Sequence, residues 1–311
     1  MRRSKAYTPA RSIRESRVNK PDFLFSTACV LVSVSIFSAT SLVAKLLGTG
    51  RFGEPLHPVQ IACCRFFFAF LAVAMVAAVL KPQLKNAPWR LHIQRSIFGW
   101  LGVSCLFAAA IQIPLADANA ISFLSIIIAM ALSVFFLGER VGVTRWSAAV
   151  LALVGATIIS RPGASAFHPA ALLALLSAVF IGFEGIFLKK LSNSQAPIQI
   201  LLLNNTFGSL LSLAVAPFFW MTPNSAQWLG LAAVGILMAL TQYFNTLALS
   251  RSDISYVAPF WYSAPLFAVF FDYFLFDHLV TLWSAVGIAL IMCGGITITY
   301  REGRRRESSQ V

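Results

Sequence analysis

From Phe23 to Leu47 the chain carries one charged residue, Lys45, and stretches of similar length and polarity follow one another as far as Tyr300. Nothing else in the sequence restricts the fold so strongly. About 20 apolar residues cross roughly 30 Å of hydrocarbon as a helix. Lipid offers no hydrogen bonds, so each crossing segment must pair its own backbone groups. The chain is 58% hydrophobic and only 11% charged, against about 25% charged for a soluble domain. Barrel-type alternation is absent from the sequence. The expectation is an all-α integral membrane protein with ten transmembrane helices. These spans, one to ten, are placed near 23–47, 58–80, 94–112, 117–138, 143–160, 169–190, 197–220, 227–249, 254–276 and 280–300. The first is too long for a signal-peptide core and is kept as a span.

The formal net charge of +13 would suit nucleic acid, but its placement does not. Seven of the 24 basic residues lie in the first 20 positions, Arg301, Arg304, Arg305 and Arg306 sit at the other end, and a single aromatic residue, Tyr7, stands among them, too few for a nucleic-acid platform. Lys and Arg concentrate beside spans on the cytoplasmic face. With both termini inside, only Arg51 and Arg161 face outward, while Lys45 and Arg65 fall within spans. Lys81, Lys85, Arg90, Arg95, Arg140, Arg145, Lys189, Lys190 and Arg251 all join the inner side. The partners expected are a lipid bilayer and a small-molecule substrate, with no nucleic acid. Cys29, Cys63, Cys64, Cys105 and Cys293 lie in apolar runs without metal-ligand spacing and read as small apolar filler.

The sequence is written twice. Pro58-Val59-Gln60-Ile61 opens one apolar run and Pro197-Ile198-Gln199-Ile200 another, which places Asn204 opposite Arg65. Residues 115–139 parallel 252–276 through a leading Asp and a shared Val-Phe-Phe. Residues 144–159 parallel 281–298 through Thr-x-Trp-Ser-Ala, and SLVAKLL (41–47) parallels GIFLKKL (185–191). Five spans per half is an odd number, so the second half enters the membrane inverted relative to the first, as in many secondary transporters. The expected organisation is a basic cytoplasmic tail (1–22), a first five-helix repeat (23–160), a second, inverted one (169–300) and a basic cytoplasmic tail (301–311).

These residues resemble the drug/metabolite transporter superfamily, EamA type, over nearly all of 23–300. The likeness is carried by VFFLGE (134–139), the following Arg145-Trp146, the fifth span ending in Arg161-Pro162-Gly163, and APFWYSAPLFAVFF in span nine with Pro259 and Pro265. Span four departs from the family by reading Ile128-Ala129-Met130 where a proline is common. The resemblance implies a proton-coupled or facilitative carrier in a bacterial inner membrane, with a cavity lined mainly by spans one, three, four, six, eight and nine.

A charge at the bilayer centre costs about 2.5–3.5 kcal/mol on insertion scales, so buried charges usually face protein or water. Arg65 lies roughly 12 Å into span two at 1.5 Å per residue. Its fork suits a carboxylate or phosphate, while pairing with carbonyls or snorkelling is the structural alternative. Glu184, between Gly182 and Gly185, is the candidate proton-coupling carboxyl, with an ion pair to a nearby lysine as its alternative. Lys45 and Lys189 read as snorkelling, Asp272 as solvated, and Asp117 and Asp253 as helix caps. Substrate-binding candidates are Arg65, Trp100, Asn204, Gln242, Tyr243, Asn245, Trp261 and Tyr262, with Phe107 and Phe260 near them, because apolar walls with a few aimed polar groups make a small-molecule site.

His57, His92, His168 and His278 sit at span ends and no HExxH occurs, so an intramembrane enzyme is not expected and no cofactor or metal is called for. No GxxxxGK loop is present either, which leaves a gradient or the cargo as the energy source. The expected function is a secondary transporter moving a small amphipathic organic metabolite, an amino acid or related compound, by alternating access. The alternatives are an uptake carrier for a vitamin, a nucleoside-like compound or S-adenosylmethionine, or, from another class, a non-transporting structural protein. Gly155, Gly294 and Gly295 would allow the close helix contact of a homodimer.

Overall fold

The structure is a computed structural model that describes residues 22–82, 87–112, 121–160, 169, 171–276 and 282–307. Helix forms in each predicted interval, and no strand occurs among the described residues. Spans one to eight are Phe23–Gly48, Pro58–Leu80, Trp89–Gln112, Leu124–Leu137, Val143–Ser160, Ala171–Ser192, Pro197–Val215 and Ser225–Arg251. Span nine is broken into Ile254–Val257, a 3-10 stretch Ala258–Ser263 and Ala264–Phe276, and span ten is Leu282–Glu307. Six helices among the described residues are long and apolar enough to cross a membrane.

The sequence sets the helix ends. Pro58 and Pro197 stand at first-turn positions, where a missing N–H costs nothing. Asn224 caps span eight by accepting from the Gln227 N–H at 2.9 Å, while the Gln227 side chain accepts from the Asn224 N–H. Gly138 ends span four in the left-handed region at φ 67°, so the chain turns there and Glu139 leaves the helix axis. In span nine, Pro259 and Pro265 exclude normal α-helical bonding. The neighbouring Ala264 carbonyl is met by the Ser38 hydroxyl of span one at 3.0 Å.

Polarity is turned inside out. Ser26, Ser33, Ser177 and Thr246 are fully buried, while Phe135 and Val79 are 82% and 80% exposed. Water would drive such a surface to associate, whereas lipid solvates it. Helices in lipid gain little from apolar burial against each other and are held by small residues and hydrogen bonds. Ser26 and Ser33 of span one donate to the Ala248 and Thr241 carbonyls of span eight, at 3.1 and 2.8 Å. A Cβ at Gly155 in span five would stand 2.6 Å from the Gly287 carbonyl of span ten, and one at Gly294 would stand 2.9 Å from the Ala148 carbonyl. The close contact these two glycines allow is thus made within the chain.

Most of the larger helix pairings follow an exchange rule. Span one lies along span eight, and span six lies along span three. Span four meets span six, and span nine meets span one. Span two meets span eight, and span seven meets span three, while spans five and ten, like spans two and seven, pair with each other. Adding or subtracting five turns each of these pairings into another of them or, for five with ten and two with seven, into itself.

Candidate functional site

Span three begins at Trp89, five residues earlier than expected, because Pro88 starts the helix: its carbonyl accepts from the Leu91 and His92 N–H groups. That extension carries Arg95 into the bundle. Arg95, the second residue of the expected span, therefore lies well inside the helix. It is 2% exposed, and its Nη2 lies 3.4 Å from Glu184 Oε1 of span six. Gly99, one turn on, leaves the space that the Glu184 carboxyl fills, since a Cβ there would lie 3.3 Å from Glu184 Cδ. Glu184 thus makes an ion pair, as the structural alternative held, but with an arginine rather than a lysine.

Arg65 lies on span two, which packs against span seven. The Arg65 guanidinium carbon sits 4.4 Å above the Phe66 ring centroid, and Arg65 is partly exposed. Asn204, its counterpart in span seven, is 5% exposed and accepts from the Ser96 hydroxyl at 3.3 Å. Trp100, half-buried, lies one turn from Ser96 on the same helical face. Arg95, Ser96, Asn204 and Glu184 therefore gather where span three of the first half meets spans six and seven of the second, and Arg65 lies on the adjoining span two.

The other candidates make contacts of their own. Asn205 donates to Gln242 at 3.0 Å, and Trp261 donates from Nε1 to Asn245 at 3.1 Å. Trp261 also meets Phe37 of span one edge-on at 5.3 Å. Tyr262 is fully buried and donates to the Phe123 carbonyl at 3.1 Å, which makes it a strut between spans nine and four. Phe260 is buried too. Tyr243 is 38% exposed, with its ring edge-on to Phe244 at 5.7 Å. Asp117 and the side chains of Phe107 and Asp272 lie outside the described residues.

A second polar network closes the end of the bundle near Asp22, whose N–H donates to the Arg251 carbonyl. It corrects two expectations. Asp253 does not cap span nine with its side chain. Glu139 does so from the end of span four, its two oxygens accepting from the Ile254 and Ser255 N–H groups at 2.9 and 3.0 Å. Asp253 instead pairs with Arg145 of span five at 3.2 Å, and Arg145 also donates to Ser255 at 2.7 Å. Lys189 does not snorkel. It is 8% exposed and donates to the Leu249 and Ser252 carbonyls at 2.7 and 2.6 Å, completing the last turn of span eight. Ser252 donates to Ser26 of span one at 2.8 Å. The turn between spans eight and nine is thereby fastened to spans one, four, five and six.

A helical bundle with an apolar surface and two interleaved halves, and a buried charged pair where the halves meet, is the build of a multi-pass membrane transporter. The EamA-like transporter family matches the chain twice, over residues 24–161 and 168–300, and the chain belongs to that family. It is 27% identical to the S-adenosylmethionine uptake transporter of Rickettsia conorii, over 93% of this chain and 98% of that protein. It is 30% identical to the riboflavin transporter of Rhizobium johnstonii, over 86% and 89%, and 29% identical to the pseudopaline exporter of Pseudomonas aeruginosa, over 66% and 70%. A crystal structure at 18% identity superposes with a TM-score of 0.78 over 90% of this chain and 98% of that one, which is a likeness of fold.

Proposed function

We propose that the chain is an alternating-access carrier for a small amphipathic organic metabolite, with an amino acid or related compound as the leading cargo. It works in a bacterial inner membrane with ten crossings and both termini in the cytoplasm. Residues 23–160 and 169–300 act as two inverted repeats flanked by the basic tails 1–22 and 301–311. The double family match and the exchange rule among helix neighbours support the repeats, and the placement of Lys and Arg supports the orientation.

The observation that carries the reading is the charged cluster between the halves. Arg65 and Arg95 come from the first half and Glu184 and Asn204 from the second, so relative motion of the halves reshapes the site itself. Trp100, Gln242, Tyr243, Asn245, Trp261 and Tyr262 complete the proposed surroundings, with Tyr262 and the Trp261–Asn245 bond holding span nine in place. Glu184 is the proposed coupling carboxyl: taking up a proton ends its attraction for Arg95 and loosens the pair. Uptake of S-adenosylmethionine or a vitamin is the second reading, favoured by what the similar proteins of Rickettsia conorii and Rhizobium johnstonii are named for. A homodimer would need a surface other than the faces of Gly155 and Gly294, which spans ten and five fill. Nucleic acid has no part in this reading.

The test is flux. Purified protein in proteoliposomes, screened with radiolabelled amino acids, vitamins and S-adenosylmethionine, should accumulate at least one of them above empty vesicles, and Arg65→Ala should reduce that accumulation. Equal flux in protein-free vesicles across the whole panel would remove the proposed cargo class.

A further inference from the structure

Charge in the cluster between the halves does not balance. Among the described residues Arg95 has one carboxylate partner, Glu184, and Arg65 on the neighbouring span two has no ion pair. Arg95 is 2% exposed, yet of its three nitrogens only Nη2 reaches Glu184, and Nε and Nη1 have no partner. Arg65 Nε is likewise buried and unpartnered. Asn204, occupied by Ser96, adds no charge.

An unpaired buried N–H costs about 1–3 kcal/mol, and an uncompensated buried charge costs more. Water could supply oxygens for these N–H groups, but not the missing negative charge. A carboxylate supplies both, because its two oxygens match parallel N–H bonds of a guanidinium. Glu184, in contrast, has somewhere to go. Gly99 limits it on the side of span three, and its side chain is 26% exposed.

Resting on the reading of this cluster as the cargo site, we propose that Arg95, together with Arg65, is the carboxylate subsite of the carrier, and that the carboxylate of the cargo displaces Glu184 from Arg95. The cargo is then an organic acid, zwitterions included, and a neutral or purely cationic compound is a poor one. Arg95 selects the cargo, and Glu184 is the competitor that the cargo must replace.

A matched set of probes tests this: 3-phenylpropionate, phenylalanine, 3-phenylpropionamide and 3-phenylpropylamine, with sodium chloride as the small-anion control. Binding to the purified full-length protein is read by thermal shift and by displacement of labelled phenylpropionate. The two carboxylates should bind at least about tenfold more tightly than the amide and the amine, and chloride should not substitute for them. Arg95→Gln should remove that preference, Arg95→Lys should restore part of it, and Glu184→Gln should strengthen carboxylate binding, an opposite sign that a purely structural role does not give. Should Arg95→Gln fail to fold, the wild-type preference and the Glu184→Gln gain decide alone. Equal binding of acid and amide, no binding of either carboxylate, or weakening by Glu184→Gln would overturn the subsite. A protein that transports the amide as well as the acid stays a carrier without this subsite. One that prefers the acid yet transports nothing keeps the subsite and loses the carrier reading.

Discussion

Arg95 and Glu184 show how much one helix turn decides. Because Arg95 is 2% exposed, removing its carboxylate partner strands a charge in a poor solvent. Glu184→Gln alone, or Arg95→Gln alone, should lower stability by about 3–5 kcal/mol if the pair behaves as other buried pairs do, and the double substitution should cost less than the two losses added. Melting temperatures in detergent measure this, and strictly additive losses would mean that the two side chains do not interact. Arg65 and Glu184 were visible in the sequence because each interrupts a long apolar run. Arg95 was hidden because WRLHIQR is polar enough to leave it at the inner end of the expected span, among the charges facing the cytoplasm. Its one signal was Pro88, which marks a helix start earlier than the hydropathy does.

Among the elements, span nine is the most dependent on its neighbours. Its first turn has only four α-helical residues before a 3-10 stretch, and its opening N–H groups are held by a carboxylate from span four. Glu139→Ala should therefore cost about 0.5–2 kcal/mol, as loss of a helix cap does. It should also speed hydrogen exchange at Ile254 and Ser255 while sparing span eight, and unchanged exchange there would remove the capping role. Spans five and ten depend instead on an absence of side chain. Gly155→Val puts a branched carbon against the Gly287 carbonyl, and overpacking of that kind costs about 1–3 kcal/mol. A melting temperature equal to that of the wild type would mean that this helix pair can spread without loss.

For the whole molecule, the closed end near Asp22 is the feature that alternating access must undo. Ser26 and Ser252 hold spans one and eight together there with 2.8 Å between their hydroxyl oxygens. Replacing both by cysteine and oxidising them should stop flux in proteoliposomes, and reduction should restore it. Full flux in the cross-linked protein would show that this end never opens during transport. The same cycle predicts that the pairings of spans one with eight and three with six, which the exchange rule relates, loosen in alternation.

The sequence alone determined the solvent, the helices, the repeat and the sign of the buried charges. Hydropathy over a bilayer length, the period of a duplicated motif and the cost of an isolated charge are all properties of the local chain. Only the tertiary structure decided which charges meet. The same local appearance suits a cap at Asp253 and an ion pair with Arg145, or a snorkelling Lys189 and one that completes a neighbouring helix. Those choices depend on which backbone end or counter-charge lies within about 3 Å, a distance set by helix packing between distant parts of the chain.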